Sequence, residues 1–309
     1  MNSLSRGLVA LSFLLAGCVG CDTAAPPAEE EPQPVAQLPA CQEVFTDAPN
    51  LKVAAWNIQN LRDEDGEGSL PREPADYSVL SCYAKELSAD VVALQEVDGP
   101  EAAARVFDPE VYDFYFETRN SVMNTGFAVR KELQVVQNED LDDLNVSGGL
   151  RHGVDITVET QGQRIRMLSV HLKSRCFDRP LDFDSDDCDK LSRQVPVLEE
   201  WIDARAAEEM PFLVLGDFNR RFDADGDEFY PEIDDAEPPN ADLTRVTEGL
   251  TSQCENSRFP VYIDHILLDR LSTQWLVGNS FEQILFSDAD MAAYDLSDHC
   301  PIAVTLDLQ

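Results

Sequence analysis

The stretch Pro211-Phe212-Leu213-Val214-Leu215-Gly216-Asp217-Phe218-Asn219-Arg220 decides how the rest of the chain is read. Four successive apolar residues predict a strand buried on both faces, as in an α/β sheet. Gly216 ends the run, and Asp217 and Asn219 follow two positions apart. Residues two apart on a strand share a face, so a carboxylate and an amide are presented together at the strand's mouth. Open α/β sheets keep ligands at such ends. Gly, Asp and Asn are also common turn formers, so a plain strand-to-turn transition is the competing reading.

The same design recurs on both sides of this stretch. Leu51 to Ile58 is apolar and reaches Asn57; Asp90 to Val97 ends in Gln95-Glu96; Arg164 to Val170 runs into His171. Val261 to Leu268 predicts a strand whose apolar run is interrupted by Asp264. The last strand, Ile302 to Leu306, follows Ser297-Asp298-His299. Five strand ends therefore carry uncommon polar residues, and two of the chain's 4 histidines are among them. Each alone reads as a turn or a satisfied structural residue; together they point to one assembled site. His152 and His265 are assigned to structure, His265 because it faces away from Asp264 on a strand.

Helical spacing marks Ala75 to Ala89 and Leu191 to Ala207, where Pro196 predicts a kink or a late start. Tyr112 to Phe116 and Gly126 to Val129 read as strands. Gly153 to Glu159 and Arg164 to Val170 read as a pair joined at Gln161-Gly162. Strands alternating with helices, plus directly linked strand pairs, predict a layered α/β fold with mixed sheets. No repeat or second linker divides residues 50–309, which read as one catalytic domain.

Residues 1–17 have the weak positive start and short apolar core of an export signal. Leu15-Ala16-Gly17-Cys18 resembles the lipobox of bacterial lipoproteins, which makes Cys18 the lipidated N-terminus. An ordinary cleaved signal is the alternative. Residues 18–49 are rich in Pro, Glu and Ala and read as a disordered tether or a pro-peptide. The expected location is the bacterial cell envelope, lipid-anchored and facing the periplasm or exterior, with a monomeric chain.

The 59 acids outnumber the 23 bases, for a net charge of -36. This opposes tight binding of polyanions, which relies on Lys and Arg. It does not exclude nucleic-acid hydrolysis, because divalent ions and salt screen an acidic surface. The six cysteines from Cys41 to Cys300 allow about 15 connectivities, which the sequence leaves open; Cys176 with Cys188, which enclose a short loop, is the best-supported pair, and Cys254 with Cys300 and Cys41 with Cys82 are further candidates. Zinc is unexpected, since no Cys-x-x-Cys pair lies in the domain. Asp223, Asp225 and Asp227 alternate as in a calcium loop, but glycine falls at the fourth position instead of the sixth; a solvated loop is the alternative.

Trp56-Asn57, Gln95-Glu96-Val97, His171-Leu172-Lys173-Ser174, Gly216-Asp217-Phe218-Asn219, Ile263-Asp264-His265 and Ser297-Asp298-His299 occur in an order that resembles the endonuclease/exonuclease/phosphatase superfamily, the deoxyribonuclease I-like group. The resemblance implies a four-layer α/β sandwich, two packed mixed β-sheets flanked by helices. It implies Mg²⁺ or Mn²⁺ held by Glu96, Asn57 and Asp298. It casts Asp217 as base toward water, Asn219 as a phosphate or water holder, and His299, oriented by Asp264, as the phosphoryl contact. His171 would stabilise the pentavalent transition state or help the leaving group. Arg151, Lys173, Arg175, Arg220 and Arg221 are the few bases near these motifs; with Asn219, Arg151 and Lys173 are the candidate phosphate binders. The implied activity is phosphodiester hydrolysis of nuclease type, with nucleic acid bound weakly. A phosphatase, a sphingomyelinase-type hydrolase of a small or lipid phosphate ester, and an inactive surface-binding lipoprotein are the alternatives. Asp98 stands where DNA-cleaving relatives carry a base, which leaves the substrate open.

Overall fold

Hydrophobic alternation sorts the strands into two sheets that face each other. The computed structural model describes residues 41, 50–238, 240–254 and 260–309. The export signal, Cys18 and nearly all of the tether lie outside the described residues. In chain order the strands are β1 (Asn50–Leu61), β2 (Val91–Val97), β3 (Tyr112–Phe116), β4 (Asn124–Arg130), β5 (Gln134–Gln137), β6 (Val154–Thr160), β7 (Gln163–His171), β8 (Phe212–Asp217), β9 (Leu243–Arg245), β10 (Asp264–Asp269), β11 (Glu282–Gln283) and β12 (Ile302–Asp307). One sheet has the order β11-β12-β1-β2-β4-β3 and the other β5-β6-β7-β8-β10-β9. Each has a parallel pair at its centre, β1 with β2 and β7 with β8, and antiparallel neighbours outside.

The period of two builds the layers. Leu51, Val53 and Ala55 of β1 and Val91 and Ala93 of β2 point inward. They meet Ile165 and Met167 of β7, Leu213 and Leu215 of β8 and Ile266 and Leu268 of β10. The alternate residues Ala54, Trp56, Val92 and Leu94 point outward, onto Leu80, Ala84 and Leu87 of α1 (Pro74–Leu87). On the other side Leu168, Val170, Phe212 and Val214 pack against Leu191, Val195, Leu198 and Ile202. These come from the helix Asp186–Ala207, labelled α3 because the short α2 (Pro100–Ala103) precedes it. Two six-stranded mixed sheets between flanking helices are the four-layer sandwich that the sequence predicts. Two short helices remain, α4 (Phe229–Ile233) and α5 (Asp288–Ala293).

Three local readings change. α3 starts at Asp186, where Ser185 accepts a hydrogen bond from the Cys188 N–H. Pro196 is therefore no late start; it lies mid-helix on an exposed position, where water can satisfy the carbonyl its ring leaves unbonded. β10 begins at Asp264, so this acid heads the strand instead of interrupting it. β1 does not stop at Asn57: it bulges there and runs on to Leu61. Disulfides join Cys41 to Cys82, Cys176 to Cys188 and Cys254 to Cys300.

Candidate active site

The inward rows of both sheets turn polar at the same end. Along β8, Leu213 and Leu215 are followed by Asp217; along β10, Ile266 and Leu268 are preceded by Asp264; along β7, Met167 is followed by Ser169 and His171. His171, Asp217 and Asp264 are in direct register across three adjacent strands. In the facing sheet Asn57 and Gln95 are in register at the ends of their own apolar rows. Asn57 Nδ2 donates to Asp217 Oδ2 across the gap at 3.1 Å. Gln95 Nε2 donates to Ser169 Oγ at 3.1 Å just beneath. The site is the polar end of the core between the sheets.

Two backbone irregularities aim side chains into this end. Glu96 adopts φ 59° at a register shift between β2 and β4, and Asn219 adopts φ 52°. Left-handed backbone is unfavourable for Glu, and a bulge turns a side chain out of its row. Glu96 Oε1 comes to 3.7 Å from His171 Nε2, which lies 3.4 Å from Asp217 Oδ2. The Asn219 N–H donates to Asp217 Oδ1 at 2.8 Å, fixing the carboxylate. Gly216 makes the approach of strands possible: at φ +136° a Cβ there would stand 2.1 Å from the Val170 carbonyl oxygen.

The final element is His299, whose Nδ1 is 2.7 Å from Asp264 Oδ2. Its Nε2 faces Asp217 Oδ2 at 4.0 Å and Asp298 Oδ1 at 3.9 Å. Burial opposes charge on this ring, but Asp264 beside it, together with Asp217 and Asp298, raises the pKa to about 10, so His299 is an imidazolium. Burial lifts the Asp217 carboxyl to about 7, with His299 pulling it down and Asp264 pushing it up. Burial, then Arg151 nearby, holds His171 well below its ordinary value, so this imidazole is neutral. One chamber thus holds a fixed cation, a carboxyl poised near neutrality and a neutral imidazole.

These residues line a cleft of about 620 Å³ together with Arg151 and Arg221. Arg151 donates to the Leu172 carbonyl at 2.9 Å, and Asn219 Nδ2 donates to the same oxygen at 3.2 Å. Ligand-type atoms of Asp217, Asp264 and His299 all lie within 4.8 Å of one another. His299 carries its proton and is engaged by Asp264, which leaves carboxylates as the free donors; the Asn57 Oδ1 close by also accepts the Gln59 N–H at 2.9 Å. Hard oxygen donors suit Mg²⁺ or Mn²⁺. A buried acid raised to about 7 is one that a divalent cation would return to its charged form, so the residues fit such an ion.

Two expectations from the sequence are not met. Lys173 turns away, its ammonium 2.5 Å from Asp187 Oδ1 and 2.8 Å from the Ser174 carbonyl. It is corrected from phosphate binder to a clip at the start of α3. Asp223, Asp225 and Asp227 do not converge as a calcium loop. Asp223 pairs with Arg245 at 2.5 Å, and Asp227 pairs with Arg220 at 2.6 Å. The buried Arg220 also donates to the carbonyls of Cys176 and Arg179, so it is structural. His265 lies outside the cleft, stacked on Phe222 and bonded to Thr247 Oγ1 and the Arg220 carbonyl.

Sequence reading missed Glu117. Its buried carboxylate accepts from Arg119, from the Thr125 N–H at 3.0 Å and from the His152 N–H at 3.0 Å. It thereby joins the β3–β4 loop of one sheet to the segment carrying Arg151 beside the other. An acid in a polar loop gives no sign in sequence that it is buried.

Two packed sheets with this cleft at their strand ends define a metal-dependent phosphodiester hydrolase. The chain belongs to the endonuclease/exonuclease/phosphatase family, whose model matches residues 54–299. Among solved structures it is similar to Danio rerio TDP2 complexed with a single-strand DNA product, at 22% identity and TM-score 0.60, covering 83% of this chain and 98% of that one. An endonuclease/exonuclease/phosphatase from Bacteroides vulgatus gives 16% identity and TM-score 0.60, covering 84% and 99%. The endonuclease domain of TRAS1, a telomere-specific non-LTR retrotransposon, gives 16% and 0.53, covering 84% and 100%. At these identities the likeness is one of fold. Comparison with curated proteins finds no match.

Proposed function

We propose that this chain is an exported, Mg²⁺-dependent phosphodiesterase of nuclease type. Residues 1–17 direct export, Cys18 carries the lipid, residues 18–49 are the tether and residues 50–309 the catalytic domain. A lipid anchor would hold it in the bacterial cell envelope. The observation that carries the reading is the meeting of Glu96, His171, Asp217, Asn219 and His299 around one cleft, with Asn57 bonded to Asp217 behind them.

Asp217, poised near neutrality and aligned by Asn57 and the Asn219 N–H, accepts the proton of the attacking water. As the new O–P bond forms, the opposite P–O bond breaks in line. His299 keeps its proton and donates to a phosphoryl oxygen, its ring held by Asp264. Neutral His171 lies beside Asp217 and Glu96, where it stabilises the charge on the crowded phosphorus. Arg151 gives the cleft wall its buried cation, and Asn219 fixes the phosphate or water. Glu96 and Asn57, with Asp298 at the rim, would hold the divalent ion, which when bound neutralises the phosphate and the leaving oxygen.

A second reading, hydrolysis of a small or lipid phosphate ester, is favoured by the apolar wall of Met123, Phe177, Val261 and Tyr262. One assay separates the readings. The purified protein with Mg²⁺ or Mn²⁺ is offered plasmid DNA, RNA, sphingomyelin, inositol phosphates and bis-p-nitrophenyl phosphate. Nicking of DNA or RNA that falls about 10³-fold in Asp217→Ala and His299→Ala is the expected result. Turnover of sphingomyelin or inositol phosphate alone selects the second reading. No turnover of any substrate leaves an inactive binding protein.

A further inference from the structure

The cleft's two sides reach it on separate loops. Asn57 precedes the bulge of β1, and Asp298 and His299 follow the loop after α5. The bulge places Gln59 at φ 43° and Asn60 at φ 56°, so the ladder between β1 and β2 is broken from Asn57 to Leu61. Carbonyls released from a ladder and buried need other donors. Arg72, itself only 1% exposed, supplies them. Its guanidinium donates to the carbonyls of Ile58 at 3.1 Å, Gln59 at 3.0 Å, Asp295 at 2.8 Å and Leu296 at 2.6 Å. Two of these acceptors follow Asn57, and two precede Ser297-Asp298-His299.

We infer that Arg72 is a positioning residue that sets the separation of the Asn57 loop from the Asp298–His299 loop, and so the geometry of the cation-holding and phosphate-contacting halves of the site. Neighbouring bonds run the same way. Ser297 Oγ donates to the Asn57 carbonyl at 2.7 Å, the Asp298 N–H donates to Gln59 Oε1 at 2.9 Å, and Asp76, one turn into α1, accepts the Asp295 N–H at 3.0 Å. Among the described residues, only the planar fork of Arg72 reaches both loops with charge-assisted donors. A lysine could not replace it: one ammonium with three donors cannot span four carbonyls placed on two sides.

The inference rests on the proposed roles of Asn57 and His299, so its test includes a readout independent of turnover. Arg72→Lys and Arg72→Ala are compared with the parent full-length protein in thermal unfolding, in Mn²⁺ affinity by calorimetry and in hydrolysis of bis-p-nitrophenyl phosphate. Both variants are expected to weaken Mn²⁺ binding and to lower kcat by about tenfold or more, with KM changing far less. Millimolar guanidinium chloride should restore part of both properties to Arg72→Ala, whereas potassium chloride at equal ionic strength should not. A lowered Tm with Mn²⁺ affinity and kcat both within about twofold of the parent would make Arg72 merely structural. If Arg72→Ala does not fold, Arg72→Lys decides by the same two measurements. If the parent binds Mn²⁺ but hydrolyses nothing, the proposed activity fails and the calorimetric comparison alone decides the inference.

Discussion

At the scale of single residues, the site works because neighbours set opposite charge states on similar groups. His171 and His299 both lie deep in the cleft, yet one is neutral and the other an imidazolium. Asp264, with Asp217 and Asp298, holds the proton on His299 against burial, whereas burial and the nearby Arg151 keep His171 neutral. Replacing Asp264 by Asn keeps the shape and removes the charge. With its closest acid neutralised, the His299 pKa falls from about 10 and the alkaline limb of the pH–rate profile moves to lower pH. A limb that stays in place in Asp264→Asn would separate His299 from the alkaline titration. Legibility at this scale was uneven. Asp217 and His171 stood out because each closes an apolar run, and His299 because it stands just before one. Arg72 and Glu117 did not, because a charge in a polar loop looks the same whether it meets water or a ring of buried carbonyls.

At the scale of elements, strands β7 and β8 must approach closely enough to pair His171 with Asp217. Gly216 is the condition for that approach. Gly216→Ala would put a methyl against the Val170 carbonyl and Gln95 Nε2, at a backbone φ of +136°. The two effects together should cost about 3–5 kcal/mol, read as a lower urea midpoint, with activity lost as the pair moves apart. An unchanged midpoint would show that the strands have room to spare. The apolar strands and both long helices were legible because each repeats its period over many residues. Their ends were less so. The bulge in β1 depends on what Arg72 offers its carbonyls, and the entry to α3 on the Ser185 cap. α4 hides in an acidic loop because only Phe229 and Ile233 mark its buried side.

At the scale of the whole molecule, pH acts through buried groups that must stay neutral. His265 is fully buried among Phe218, Phe222, Thr247 and the Arg220 carbonyl, and burial takes its pKa down to about 3. Between that value and the ordinary 6.5 the unfolded chain binds the extra proton, so stability is complete above 6.5 and declines as pH falls toward 3. The slope approaches about 1.4 kcal/mol per pH unit for this one group. His265→Gln preserves one acceptor and one donor without the titration. Urea unfolding between pH 7 and 4 should therefore show a shallower loss in the variant, by close to one proton. Parallel curves would exclude His265 as a source of acid sensitivity. The proposed anchor has its own check: Cys18→Ala protein should leave the membrane fraction, and unaltered fractionation would remove the lipid. A layered α/β fold with mixed sheets was legible from the strand and helix pattern and the four-layer sandwich from the family resemblance, whereas the substrate was not, since an acidic surface and a mixed cleft wall suit several phosphoesters. The pairing of β1 with β12 carries one more consequence. Asn57 precedes His299 by most of the domain, and they become neighbours only when β12 docks along β1. Until then the β1 edge lacks both a partner strand and the imidazolium, so hydrolytic competence waits on that docking.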